Sequence, residues 1–284
     1  MNHAADVHRA PDPLERRLRE LEGSQGSGRT LAAGLQWQSY PGNFTGAPPG
    51  KNVKIIGLIG GMSWESTVTY YRQINEVIKE RLGGLHSARI ILYSVDFHDI
   101  EQLQHAGDWE AAGAMLAEAA HSLESAGAAF LVLCTNTMHN VASSIEAAVT
   151  IPLLHIADPT AVEIKQSKYS TVGLLGTRFT MEQEFYRARL SECHGLRVIV
   201  PGPEDREATH RIIYNELCLG IVTSASRGAY QRIMANLASQ GAQAIILGCT
   251  EISLLVSQCD AGVPLFDTAE IHARAAAEEA LRAL

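Results

Sequence analysis

Short apolar runs that end on glycine or a small polar residue alternate along this chain with longer stretches whose apolar positions recur at helical spacing. Residues 53–59 form such a run and enter Gly60-Gly61, and from residue 63 to about 82 Val68, Tyr71, Ile74, Ile78 and Leu82 mark one predicted helix. Residues 89–95 read as a second strand, and Trp109, Ala112, Leu116, Ala119, Leu123 and Ala126 mark a helix that ends near Gly127. A buried run at 129–133 then closes on Cys134-Thr135-Asn136-Thr137. From residue 170 the order repeats: a strand into Gly176-Thr177, a strand at 197–200, a helix carrying Tyr230, Ile233 and Leu237, and a run at 244–248 that closes on Cys249-Thr250-Glu251. Gly57 to Cys134 spans 77 positions and Gly173 to Cys249 spans 76, which points to a duplicated unit. A short run at 263–266 and a helix from 268 to about 284 finish the chain, and this tail is expected to pack back on the first half.

Strand and helix in alternation predict an α/β fold with mainly parallel sheets flanked by helices. Two similar domains follow from the repeat, residues 51–154 with 264–284 forming one and 155–263 the other, with the active site in the cleft between them. Open α/β sheets bind ligands beyond the carboxyl ends of their strands, and both cysteines fall at such ends. Residues 1–50 stand apart. They are rich in Gly, Ser, Pro and Ala, lack lysine, and carry more acids than an organellar presequence tolerates, so a disordered or appended extension is expected there.

Composition narrows the function. The apolar share of 46% in 284 residues is enough for a sizeable core, and no apolar stretch nears the roughly 20 residues of a membrane span. A net charge of −8 with no basic block argues against nucleic acid and anionic membranes as partners. Five cysteines, an odd number without a CxxC pair or signal peptide, fit free thiols in a reducing cytoplasm. Cys193, Cys218 and Cys259 read as packing residues.

Two thiols on opposite walls of one cleft can do a definite piece of chemistry. One thiolate removes the proton from an α-carbon and the other thiol returns a proton to the opposite face, which inverts the centre. The thiolate has to be favoured by its surroundings, for which the positive end of a following helix is the expected source. Thr135, Asn136 and Thr137 supply hydroxyls, an amide and free N–H groups for a substrate carboxylate, with Thr177 and Thr250 adding donors from the other side. Helix capping is the alternative for each threonine taken singly. Glu251 either binds a substrate ammonium or caps a helix. His139 either polarises the site or bonds to backbone. The turn at Gly57-x-x-Gly60-Gly61 is not a dinucleotide fingerprint and lets Met62 and Ser63 approach a ligand. Trp64, Trp109, Tyr70 and Tyr71 read as core or interface residues. No metal-binding spacing occurs. Pyridoxal phosphate needs a Schiff-base lysine, and the five lysines all lie away from the predicted strand tips. A cofactor-free reaction on a small molecule is expected.

The segments Gly57-Leu-Ile-Gly-Gly-Met-Ser-Trp-Glu65, Val95-Asp-Phe-His98, Cys134-Thr-Asn-Thr-Met-His139, Leu175-Gly-Thr-Arg-Phe-Thr-Met181 and Gly248-Cys-Thr-Glu-Ile252 resemble the aspartate/glutamate racemase family, and most closely its broad-specificity amino-acid racemase branch. The resemblance implies catalysis without pyridoxal phosphate, Cys134 and Cys249 as the acid/base pair, Thr135 to Thr137 on the substrate carboxylate, Gln104 in the pocket, and a homodimer. Where several relatives carry a lysine that meets an acidic substrate side chain, this chain has Ala208, with Arg206, His210 and Arg211 nearby. A range wider than aspartate and glutamate is therefore expected. Other chemistries suited to strand-tip cysteines are cis–trans isomerisation or decarboxylation of a small diacid, and a non-catalytic amino-acid sensor is an alternative of another class.

Overall fold

The computed structural model describes residues 53–282, so the expectation for residues 1–50 lies outside the described residues. Two parallel four-stranded sheets carry the fold, each flanked by helices. The first contains β1 (Ile56–Gly60), β2 (Ile90–Ser94), β3 (Phe130–Leu133) and β4 (Leu153–Leu154) in the order β2-β1-β3-β4. The second contains β5 (Thr171–Gly176), β6 (Arg197–Ile199), β7 (Ala244–Gly248) and β8 (Leu265–Asp267) in the order β6-β5-β7-β8. The same order in both is the structural counterpart of the repeated spacing. In each sheet the two central strands are buried nearly end to end, which is why they read as unbroken apolar runs.

Helices α1 (Trp64–Leu82), α2 (Phe97–Ala106), α3 (Trp109–Ser125) and α4 (Ala142–Ala148) accompany the first sheet. The chain crosses after β4 into α5 (Ala157–Gln166). Around the second sheet lie α6 (Arg178–Glu182), α7 (Glu184–Ala188), α8 (Pro203–Asn215), α9 (Ser224–Ser239) and α10 (Ile252–Leu255). The last helix, α11 (Thr268–Leu281), lays Ala273, Ala276, Ala277 and Ala280 against Ile56, Leu58, Tyr70, Ile74 and Ile78. Small alanines let α11 approach α1 and β1 closely, and Lys54 pairs with Glu279 at 2.9 Å. The strand before it, β8, hydrogen-bonds to β7. The second sheet thus extends to Asp267, beyond the residue 263 expected from the sequence.

Helix α1 differs in phase from its sequence reading. Its buried face is Ser66, Thr67, Tyr70, Ile74 and Ile78, while Val68 and Tyr71 point outward. Small polar residues take the inner positions of the first turn because Thr67 serves the β1 tip there: its hydroxyl accepts from Gly61 N–H at 2.8 Å and donates to Ser63 O at 2.9 Å. Gly61 has φ +94°, and a Cβ on it would lie 2.2 Å from Val95 O, so this sharp exit from β1 requires glycine.

Candidate active site

The tips of β1, β3, β5 and β7 converge on a narrow cleft pocket, partly open to solvent. It is lined from the first half by Met62, Phe97, Gln104, Thr135, Asn136 and Thr137, and from the second by Thr177, Ile213, Tyr214, Cys218, Gly248, Cys249, Thr250 and Glu251. Every residue expected to bind substrate is therefore in one pocket together with Cys249. Cys134 follows β3 beside them, but its side chain is not part of the lining. It is fully buried among Ile56, Leu58 and Tyr70, with Sγ 3.9 Å from Val132 O.

The Cys249 end is a dense polar knot. The Cys249 thiol donates to Glu251 Oε2 at 2.9 Å, the Thr250 hydroxyl donates to the same oxygen at 2.8 Å, and Ser63 Oγ donates to Glu251 Oε1 at 2.8 Å. Glu251 precedes α10 without capping it by its side chain, so the expected capping alternative does not describe it. Gly248 allows this tip to sit against β5, since a Cβ there would lie 2.8 Å from Leu175 O.

Both thiols differ from the expected electrostatics. Burial pushes the Cys134 thiol well up, and Cys249 is raised by burial first and then by the Glu251 charge. The elements following the cysteines are short, a 3-10 turn over Thr137–Val141 and the four-residue α10, so neither offers the long aligned dipole that would offset burial. In this arrangement both cysteines are thiols at neutral pH, and Cys249 already has an acceptor for its proton.

The Thr/Asn segment links the two halves. Thr137 Oγ1 lies 2.9 Å from Thr177 Oγ1. Thr177 also caps α6 by accepting from Thr180 N–H, which is the capping reading for this residue. Asn136 Nδ2 donates to Thr268 Oγ1 at 2.9 Å, and that hydroxyl donates to Leu247 O. Asn136 Oδ1 is buried with no partner among the described residues. On the opposite side, Tyr214 O–H donates to Gln104 Oε1 at 2.8 Å, and Gln104 Nε2 donates to Met138 Sδ.

His139 resolves to its backbone reading. Nδ1–H donates to Thr135 O at 2.7 Å and Nε2 accepts from Ile156 N–H at 3.2 Å, tying the Cys134 loop to the start of α5. Behind it, His272 accepts from Tyr70 O–H and donates to Leu154 O, both at 2.8 Å. Burial holds His139 well below its usual range, His155 at about 3 and His272 at about 4.

Phe97, Ile213, Tyr214 and Cys218 join the pocket without having been singled out as site residues. They come from α2, α8 and the turn after it, whose fold over the cleft leaves no mark in local periodicity. The cations weighed near Ala208 stay out of the lining: Arg206 pairs with Glu182 at 2.9 Å, and His210 and Arg211 line a separate outer cavity behind Tyr214. Among the described residues, Glu251 is the one charged side chain in the pocket lining. Among the described residues there is no group of three or more His, Cys, Asp or Glu placed to hold a metal, and no helix long and apolar enough to cross a membrane.

Comparison with known proteins bears on the family and the fold. The model of the Asp/Glu/Hydantoin racemase family matches residues 59–276. A protein from Yersinia pestis assigned as an Asp/Glu racemase has a crystal structure 64% identical to this chain, with a TM-score of 0.76, covering 81% of this chain and 100% of that one. An aspartate racemase homologue from Pyrococcus horikoshii OT3 is 37% identical with a TM-score of 0.70, covering 81% and 100%. The broad-specificity amino-acid racemase RacX of Bacillus subtilis (strain 168) is 24% identical over 228 residues, 78% of this chain and 95% of RacX.

Proposed function

The chain belongs to the Asp/Glu/hydantoin racemase family, and on that premise we propose that it racemises amino acids, without a bound cofactor, by proton transfer between Cys134 and Cys249. The observation that carries this reading is the Cys249 thiol donating to a buried carboxylate at 2.9 Å, in a pocket that also holds the Thr135-Asn136-Thr137 segment. Thr135, Thr137 and Thr177 hold the substrate carboxylate. The unpartnered Asn136 Oδ1 and the Glu251 carboxylate face the ammonium. When the substrate ammonium arrives, the Cys249 proton passes to Glu251 along the existing hydrogen bond, and the ammonium stabilises the thiolate. That thiolate takes the α-proton. Cys134 turns about its χ1 from the core into the cleft and delivers its own proton to the opposite face. This leaves Cys134 as thiolate and Glu251 protonated, the state from which the reverse direction starts with the cysteines' roles exchanged. Proton exchange with water at the open pocket returns both groups to the resting thiol and carboxylate.

The substrate range follows from what lines the remainder of the pocket. Phe97, Ile213, Tyr214 and Cys218 present apolar and neutral polar surface, and no lysine or arginine lines the pocket among the described residues. A carboxylate there would lose its hydration without gaining a cation. Neutral side chains are therefore accepted alongside, and in preference to, those of aspartate and glutamate. Incubation of each enantiomer in heavy water without cofactor tests the reading. Deuterium should enter the α-carbon as the enantiomer ratio approaches unity, and replacing either cysteine by serine should slow racemisation by about a hundredfold or more. No exchange with any common amino acid would end it.

We also propose a homodimer. Edge strand β2 has no charge or proline between Ile90 and Ser94, and Leu92 and Tyr93 on it are exposed, as are Trp64, Val68 and Tyr71 on α1. Native proteins seldom leave such an edge open.

A further inference from the structure

We propose that Ser63 is a positioning residue for proton transfer at Cys249, acting through Glu251 from the other side of the cleft. The inference rests on the two-cysteine reading above and extends it to a group on the first sheet. Ser63 stands at the N-cap of α1, where a serine hydroxyl ordinarily accepts from the first turn of its own helix. Here it makes no such bond. Its carbonyl instead accepts the hydroxyls of Ser66 and Thr67 at 3.0 and 2.9 Å, which fixes the backbone, and its own Oγ donates to Glu251 Oε1 at 2.8 Å. Ser63 and Glu251 are each 4% exposed and lie 188 positions apart in the chain.

The consequence is geometric. Glu251 Oε2 is the acceptor of the Cys249 thiol, and Oε1 is held by Ser63 from the opposite half. Without that donor Oε1 would be buried and unpaired, a costly state that rotation of the carboxylate would relieve. Rotation would move Oε2 off the Cys249 sulfur. Glu251 also faces the substrate ammonium, so its rotation should weaken binding in both half-reactions. At saturating substrate the remaining defect should be confined to the half-reaction that uses Cys249, because Cys134 makes no hydrogen bond with Ser63 or Glu251.

Single-cysteine backgrounds separate the two half-reactions. In Cys134→Ser only Cys249 can exchange an α-proton with heavy water, and in Cys249→Ser only Cys134 can. At saturating substrate, adding Ser63→Ala should slow exchange about tenfold or more in the first background and less than about twofold in the second, with any rise in KM shared by both, while Ser63→Thr, which keeps the hydroxyl, should restore it. Equal slowing in both backgrounds, or none in the first, overturns the assignment. Should Cys134→Ser exchange nothing by itself, the pH profile of Cys249 alkylation decides, read by peptide mass with exposed Cys193 as internal standard. Ser63→Ala should displace the Cys249 profile and leave that of Cys193 in place; an unmoved Cys249 profile overturns the proposal. A wild-type protein that neither exchanges nor racemises would refute the racemase reading instead, and alkylation would still report on Ser63.

Discussion

Replacing Glu251 by glutamine should make Cys249 more reactive and the protein less active. The carboxylate acts on the sulfur in two ways: its charge opposes formation of a thiolate, and its Oε2 accepts the thiol proton at 2.9 Å. Two unit charges about 4 Å apart interact by about 4 kcal/mol at an effective dielectric of about 20. Burial of Cys249, the larger cause of its raised titration, persists in the variant. Water at the pocket mouth and the amide dipole offset part of the gain. A ten- to hundredfold faster alkylation of Cys249 at fixed neutral pH is expected, about 1.4–2.8 kcal/mol. Racemisation should fall by about a hundredfold or more, because the amide cannot take the proton that Cys249 must lose. Iodoacetamide labelling followed by peptide mass, with chiral chromatography of product, reads both. A variant in which labelling and turnover fall together would show that Glu251 does not oppose thiolate formation, and the electrostatic reasoning would be wrong.

Three further outcomes are expected. The buried histidines titrate in the unfolded chain near 6.5 but only near 3 for His155 and 4 for His272 when folded. The unfolded state thus binds more protons below pH 6.5, and stability present above that pH is lost as pH falls toward the folded values. About 2 kcal/mol for each should be gone at pH 5 relative to pH 7, and urea unfolding at the two pH values checks this; equal midpoints would contradict it. The β2 edge should mediate dimer formation, so Tyr93→Lys should shift sedimentation from dimer to monomer, and a wild-type monomer would refute the interface. Aspartate should be turned over with lower kcat/KM than a neutral amino acid of similar length, measured in a chiral screen.

What could be read from the sequence was what local pattern encodes. The central strands of both sheets were visible because each is buried on both faces and ends at a glycine or small polar residue. The α1 stripe was misread because Ser66 and Thr67 are drawn inward by hydrogen bonds at the β1 tip, leaving Val68 and Tyr71 outside. The place of Cys249 and of Thr135 to Thr137 at strand tips was legible in the local pattern, whereas Gln104 came into view only through the family resemblance. Tyr214, Ile213 and Phe97 were hidden because α2 and α8 reach the cleft only in the folded chain. The inward rotamer of Cys134, the raised thiols and the Ser63–Glu251 bond depend on packing between distant segments, which no window of sequence contains.

The central claim is that two sulfurs flank one α-carbon during turnover. The most direct measurement is a crystal structure with an α-methyl amino acid, which binds like substrate but has no α-proton to lose. Cys249 Sγ and Cys134 Sγ should lie on opposite faces of the α-carbon, with Cys134 turned out of its present core position. A ligand seated against Thr135 to Thr137 while Cys134 keeps its side chain beside Tyr70 and Ile56 would contradict the account.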